Sequence, residues 1–272
     1  MSKDAAASNP TTDDCVNILG VKVHATSMDR AVSSVENLLA SGDKGYVCVT
    51  GVHGIMEAQR DPALREIHNR SFLCLPDGMP TVWVGRLQGH SLMGRVYGPD
   101  FMWQMCRRSA RSGYRIFLYG GNDGVVEMLQ QRLEQKIPGI RICGTYTPPF
   151  RPLTPAEEDE IIATINSAKP DIIWVGLSTP KQERFMARMI DRLDTCLMAG
   201  VGAAFDIHAG LLADAPAWMK CCGLQWLHRL CIEPQRLWRR YLSNNPRFLW
   251  NIALQFAGAK SFRLDTVVLD RR

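Results

Sequence analysis

The chain has 272 residues, of which 46% are hydrophobic and 22% are charged, and its formal net charge is +5. These values are ordinary for a soluble globular protein with one large domain. Nine cysteines without regular spacing argue against a disulfide framework, and no apolar run reaches the roughly 20 residues that span a bilayer.

Short apolar runs alternate with helical patterns over most of the chain. Residues 1–14 have no hydrophobic segment and predict a disordered leader. The predicted strands are 16–23, 45–50, 71–75, 115–119, 140–144, 171–176 and 196–201. The predicted helices are 28–41, 61–70, 79–88, 99–112, 123–136, 155–168 and 180–192. Because the strands are apolar on both faces, residues 15–214 predict a Rossmann-like α/β domain whose mostly parallel sheet has helices on both faces.

The pattern changes after residue 214, where three helical stretches follow one another without strands. Pro216, Pro234 and Pro246 each suit the first turn of a helix, where a missing N–H costs nothing. The sequence therefore predicts a C-terminal helical appendage over residues 215–260, followed by a tail over 261–272.

The appendage carries the positive charge. Residues 217–250 contain Lys220 and five arginines against Glu233 alone, which indicates an anionic partner. Aromatic and aliphatic side chains lie among these arginines, as at a membrane interface with anionic head groups. The alternative is that the aromatic residues pack against the core and the arginines remain solvated at its rim. A nucleic acid is not the predicted partner, because the basic segment is short.

Candidate site residues follow the strands, where parallel α/β sheets bind ligands. Asp77 in LPDGMP can act as a general base or can cap the following helix. Gly120 and Gly121 in LYGGND can present N–H groups to a diphosphate or can form a tight turn. Gln182 and Glu183 can bind sugar hydroxyls or can be ordinary residues of a first helical turn.

Two histidines also follow strands. His53, in CVTGVHG, is a candidate substrate-binding residue, although such a histidine is more often structural. His208 follows Asp206 by two residues, but no third ligand is evident, so no metal site is predicted.

Five segments occur in order along the chain, namely LPDGMP, VGLSTPKQE, GVGAAFDIHAG, APAWMKCCGLQWLHRL and EPQRLWRRYL. Together they resemble the WecG/TagA/CpsF family of glycosyltransferases, over about residues 16–256. The resemblance implies a Rossmann-like, metal-independent and inverting transferase without a cofactor. It implies a UDP-sugar donor and a sugar acceptor on a polyprenyl diphosphate, in cell-surface polysaccharide synthesis. The implied location is the cytoplasmic face of the membrane, which the C-terminal helices contact. Whether the protein forms a homo-oligomer stays open.

The same resemblance assigns roles to individual residues. It implies that Asp77 is the catalytic base. The implied substrate-binding residues are Thr50, Arg95, Gln182, Arg229, Arg236 and Arg239. Val52 stands where many members have an asparagine two residues after the threonine, so the donor sugar, a hexose or an N-acetylhexosamine, stays open.

A different class of function is compatible with the same pattern. A Rossmann module can bind a nucleotide and act as a regulatory or scaffold protein without any transfer activity. A dinucleotide oxidoreductase is a weaker alternative, because no GxGxxG motif follows the first strand.

Overall fold

The computed structural model of the chain describes residues 14–264, so nearly all of the predicted leader and most of the tail lie outside the described residues. Eight strands and twelve helices form within this range. The strands are β1 (Cys15–Ile18), β2 (Val21–His24), β3 (Gly45–Thr50), β4 (Leu73–Pro76), β5 (Arg115–Gly120), β6 (Arg141–Tyr146), β7 (Ile172–Gly176) and β8 (Leu197–Gly200). The helices are α1 (Met28–Ser41), α2 (Val52–Arg60), α3 (Pro62–Arg70), α4 (Met79–Leu87), α5 (Gly98–Ser112), α6 (Val125–Lys136), α7 (Pro155–Ala168), α8 (Lys181–Met189), α9 (Ala204–His208), α10 (Ala217–Cys221), α11 (Gln225–Ile232) and α12 (Pro234–Phe256).

Six strands form one parallel sheet in the order β4-β3-β8-β7-β5-β6. Neighbouring residues of a strand are buried on opposite faces: Val47 joins one core cluster and Cys48 the other. One face packs against α2, α7, α8 and α12, and the other against α1, α5, α6 and α9. The predicted Rossmann-like sheet with helices on both faces is confirmed.

The first predicted strand, 16–23, is wrong as a single element. β1 and β2 pair antiparallel as a separate two-stranded sheet, with Val16 opposite Val23. The turn uses Leu19 at φ 53° and Gly20 at φ 79°. Two consecutive residues with positive φ match the twist of a hairpin, but leucine rarely adopts this conformation, so the apolar run gives no turn signal.

The C-terminal appendage also differs from its prediction. Its first stretch is broken near Gly223 (φ 72°) into α10 and α11, whereas α12 continues through Pro246. The prediction that a new helix begins at Pro246 is therefore wrong. Pro246 cannot donate to the Leu242 carbonyl, but α12 continues because Phe248 and Ile252 are buried in the core beyond it.

The end of α12 docks on the β1–β2 hairpin. The Gln255 side chain accepts a hydrogen bond from Leu19 N (2.9 Å) and donates one to Asn17 O (2.8 Å). Asn17 Nδ2 in turn donates to Phe262 O (2.7 Å). These bonds fix the appendage over the α2 side of the sheet.

Candidate active site

Two strand ends meet closely at the edge of the sheet. The Asp77 N–H after β4 donates to Thr50 O at the end of β3 (2.9 Å). A Cβ atom on Gly51 would lie only 2.5 Å from Asp77 O, so only glycine fits there. Gly78 follows at φ 105°, a conformation that glycine adopts without strain. This backbone arrangement positions Asp77 between the strand ends and the C-terminal helices.

Two adjoining cavities lie at this edge. The first, which we call the apolar cavity, has a volume of about 680 Å³ and opens between α4 and the C-terminal helices. Large apolar side chains form its wall, including Met79, Trp83, Trp226, Leu230, Leu242 and Leu249.

The second cavity has a volume of about 840 Å³ and lies across the ends of β5, β7 and β8. We call it the arginine cavity because Arg151, Arg184, Arg188, Arg229, Arg236 and Arg240 line it. Asp77, His53, Arg229 and Arg240 line both cavities, so the carboxylate lies where the two meet.

Asp77 does not cap the helix that follows it. α4 begins at Met79 with Gly78 as its N-cap, and no side chain caps it. Burial raises the pKa of the Asp77 carboxyl, while the nearby Arg95 and Arg229 oppose that rise. A carboxylate with a raised pKa is a stronger base, and the arginines keep its charged form accessible.

Arg95 connects this edge to the appendage. Its Nη1 donates to Lys220 O in α10 (3.1 Å), and its guanidinium lies 4.3 Å from the centre of the Tyr97 ring. The Tyr97 hydroxyl donates to Asp214 (2.8 Å), which also pairs with Lys220. Arg95 thus holds α10 beside the apolar cavity.

The C-terminal arginines have different partners and positions in the structure. Glu233 lies between α11 and α12 and pairs with Arg229 (3.0 Å) and Arg236 (2.6 Å). Arg240 lies one turn after Arg236, and its buried Nε has no hydrogen-bond partner within the described residues. Arg239 lies over the Trp238 ring (5.2 Å) and lines neither cavity. Arg240 is not among the substrate-binding residues that the resemblance implies, although its spacing of four from Arg236 placed it on the same helix face.

His53 and Thr50 have different surroundings. His53 lies in the first turn of α2, where its Nδ1 is 3.2 Å from Asn244 Nδ2. Burial, together with Arg240 and Arg60, lowers the pKa of His53 to about 4, so the ring is neutral at pH 7. Thr50 lines the apolar cavity, but it is only 2% exposed and its hydroxyl lies 3.2 Å from His68 Nδ1.

Gln182 and Glu183 form a buried pair at the start of α8. Glu183 Oε1 accepts hydrogen bonds from Thr179 Oγ1 (2.8 Å) and Gln182 Nε2 (3.1 Å), and burial raises the pKa of its carboxyl. Gln182 lines the arginine cavity, and its buried Oε1 has no partner among the described residues. Glu183 lines neither cavity, so it positions Gln182.

The turn after β5 does not offer the amides expected of a phosphate cradle. The Gly121 N–H donates to Gly176 O (3.0 Å), and Gly120 lies outside both cavities. A Cβ atom on Gly120 would lie 2.7 Å from Gly176 C. The two glycines therefore form the tight turn, and only Gly121 borders the arginine cavity.

His208 has a structural role. Its Nε2 lies 2.9 Å from Pro99 O, and its ring stacks on Trp103 at 5.7 Å. Over residues 14–264, no group of three or more His, Cys, Asp or Glu side chains is placed to hold a metal ion. In the same range, no helix has both the length and the apolar content of a membrane span.

Comparison with known proteins shows the family of the chain. Residues 16–261 match the model of the glycosyl transferase WecG/TagA/CpsF family. The chain is similar to an N-acetylglucosaminyldiphosphoundecaprenol N-acetyl-beta-D-mannosaminyltransferase of Bacillus spizizenii, with 30% identity over 78% of this chain and 80% of the relative. Proteins of the same name from Bacillus subtilis (29% identity over 75% and 77%) and Staphylococcus aureus (26% over 88% and 92%) are also similar. The chain therefore belongs to the WecG/TagA/CpsF family of glycosyltransferases.

Proposed function

We propose that this glycosyltransferase moves a hexose or N-acetylhexosamine from a UDP-sugar to a sugar carried on a polyprenyl diphosphate, with inversion and without a metal ion. The observation that carries the proposal is the position of Asp77 at the junction of the apolar and arginine cavities. Asp77 lines both cavities, so one cavity is available for each of the two substrates. The names of the relatives, which specify an undecaprenol diphosphate acceptor, support the same acceptor class here.

The arginine cavity suits the nucleotide donor. Guanidinium groups bind phosphate oxygens bidentately and stay charged at any accessible pH. Arg229, Arg236 and Arg240 approach it from the appendage, and Lys181 and Gln182 line it at the start of α8. Asp77 and Asp206 are the acidic residues on its wall. These arginines supply positive charge where the UDP leaving group becomes negative, which is the electrostatic part of the catalysis.

The reaction needs one proton transfer. Asp77 takes the proton of the attacking hydroxyl on the acceptor sugar, and that oxygen forms a bond to the anomeric carbon of the donor. The bond from the anomeric carbon to the β-phosphate oxygen breaks, and UDP leaves on the opposite side with the bonding electrons. Attack from the face opposite the leaving group inverts the anomeric configuration.

The apolar cavity suits the lipid-linked acceptor. Leu242 and Leu249 line it and are each 66% exposed, so its wall continues onto the surface of α12. Trp250, which is 67% exposed, extends that surface. Aromatic and aliphatic side chains beside arginines suit the interface of an anionic membrane, so we propose peripheral attachment there.

The proposed function is tested by a transfer assay with the purified full chain. The assay uses a panel of UDP-hexoses and UDP-N-acetylhexosamines, a short-chain polyprenyl-diphosphate sugar as acceptor, and reactions with and without EDTA. We expect one donor to give product with inverted configuration, seen by NMR, at a rate that EDTA does not change. Binding of UDP without transfer or UDP release from any donor would favour the non-catalytic nucleotide-binding module instead.

Membrane attachment is tested separately by sedimentation with vesicles that contain anionic lipid. We expect the wild type to sediment and the double variant Leu249→Gln, Trp250→Gln to stay largely in solution. Leu92→Gln is the matched control, because Leu92 is 85% exposed but lies outside α12. Equal sedimentation of the wild type and the double variant would refute the assigned surface.

A further inference from the structure

A row of three side chains, in Arg60, Asn244 and His53, links α12 to the junction of the cavities. Arg60 at the end of α2 donates from Nη2 to Asn244 Oδ1 (3.1 Å), and Asn244 Nδ2 lies 3.2 Å from His53 Nδ1. Asn244 is 3% exposed and comes from the middle of α12. The appendage therefore touches, through Asn244, a histidine that lines both cavities.

The donor and acceptor roles of these three side chains follow from Arg60. Arginine has only donors, so the group facing Arg60 must be the Asn244 carbonyl oxygen. The Asn244 NH₂ group then faces His53, and because it is a donor, His53 Nδ1 must accept. A neutral imidazole that accepts at Nδ1 carries its proton on Nε2.

Neighbouring charges are consistent with this tautomer. Glu57 Oε1 lies 3.9 Å from His53 Nδ1, which is beyond hydrogen-bond distance, and it already accepts from Arg60 Nη1 at 2.6 Å. Arg240 and Arg60 also act on the ring, and both disfavour an imidazolium. No described residue forms a hydrogen bond with His53 Nε2, so this donor is left for a ligand.

We propose that Asn244 holds His53 as the neutral Nε2–H tautomer, so that His53 donates a hydrogen bond to a substrate oxygen where the two cavities meet. The oxygen is a hydroxyl or a phosphate oxygen, carried by the nucleotide sugar or by the acceptor. The inference rests on the proposed function and deepens it: Asn244 is a positioning residue, and docking of α12 sets the chemistry of His53. A detached α12 would leave the tautomer unset.

The test is NMR of the full chain labelled with ¹⁵N in its histidine rings, because proton–nitrogen correlations distinguish the two tautomers without turnover. The His53 signals are assigned by their loss in His53→Gln. We expect the wild type to show a bare Nδ1 and a protonated Nε2. Asn244→Asp places an acceptor opposite Nδ1 and keeps the bond to Arg60, so we expect Nδ1 to become protonated. Asn245→Asp, the same change one residue later, should leave the His53 signals as in the wild type.

Ligand contact is measured on the same sample. UDP and, separately, a short-chain polyprenyl-diphosphate sugar are added, and a shift of the His53 Nε2–H signal identifies the substrate that it contacts. In transfer assays, we expect Asn244→Asp to lower kcat/KM about tenfold for that substrate, the effect of losing one hydrogen bond. We expect His53→Gln, whose amide reaches the Nε2 position, to retain more activity than His53→Asn.

Three outcomes would overturn the inference: a protonated Nδ1 in the wild type, an unchanged tautomer in Asn244→Asp, or no Nε2–H shift with either ligand. Failure of the proposed function is a separate result. It would appear as a wild type that transfers no sugar, whatever the NMR shows.

Discussion

Arg240 combines a functional position with a structural cost. It lines both cavities, its Nε is buried without a hydrogen-bond partner, and within residues 14–264 no carboxylate forms an ion pair with it. Its contact is with the Tyr241 ring, 5.5 Å away. Burial lowers the pKa of its guanidinium, which reflects the same cost. Replacing it by methionine should therefore stabilise the fold and impair catalysis.

The effects of Arg240→Met on stability and on catalysis can be calculated separately. A buried donor without a partner costs about 1–3 kcal/mol, whereas a half-buried cation–π contact contributes about 0.5–1 kcal/mol. Arg240→Met should thus raise the free energy of unfolding, by up to about 2.5 kcal/mol. Loss of a donor that stabilises developing charge lowers turnover by about 10²–10³-fold. One substitution should move stability and activity in opposite directions.

The assays are urea unfolding followed by tryptophan fluorescence and initial rates of sugar transfer. Arg239→Met is the matched control, because Arg239 is the preceding residue of α12, is exposed and lines neither cavity. We expect the control to change unfolding by less than about 0.5 kcal/mol and to keep most of its activity. An Arg240→Met protein that is less stable than the wild type, or as active, would refute the reasoning.

Two further predictions concern the buried end of β3. Burial lowers the pKa of His68 to about 4, so between pH 6.5 and pH 4 only the unfolded protein takes up a proton on this ring. The free energy of unfolding should therefore fall as the pH drops through this range, and at pH 5 the loss is about 2 kcal/mol. Urea unfolding at pH 7.5 and at pH 5 measures this loss of stability. We expect a smaller loss in His68→Gln than in the wild type, and the wild-type loss in the control His90→Gln. Equal losses in all three proteins would exclude His68 as the origin. Gly51→Ala should lower kcat at least tenfold, because its Cβ meets Asp77 O at 2.5 Å, whereas Gly94→Ala makes only ordinary contacts of 3.7 Å or more. Wild-type kcat in Gly51→Ala would show that the turn tolerates displacement.

The sheet was predictable because burial on both faces produces continuous apolar runs such as IIWVG in β7. The hairpin was not, since its turn places Leu19 at positive φ inside an apolar run. α12 was not predicted as one helix, because the fit of Phe248 and Ile252 into the core outweighs the hydrogen bond lost at Pro246. Neither the turn at Leu19 nor the continuation of α12 through Pro246 can be predicted from local propensity, since both depend on tertiary packing.

The candidate site was predictable to a similar degree. Asp77 and His53 follow strands, and that rule of parallel sheets places both at the junction of the cavities. Arg239 and Arg240 are both neighbours of Arg236 on a helix, and only the rotation of the docked α12 directs Arg240 inward. Asn244 gave no signal, because its role depends on contacts with two residues of α2 nearly 200 positions away.

The central claim is that Asp77 acts as the base, and the most direct test is turnover by Asp77→Asn. Asparagine keeps the shape of the side chain but cannot accept the proton, so we expect kcat to fall by about 10²–10⁴-fold while UDP affinity and thermal stability stay close to those of the wild type. Asp100→Asn is the control, because Asp100 influences Asp77 but lines neither cavity, and it should remain active. A folded Asp77→Asn protein that binds UDP and transfers sugar at the wild-type rate would contradict the account.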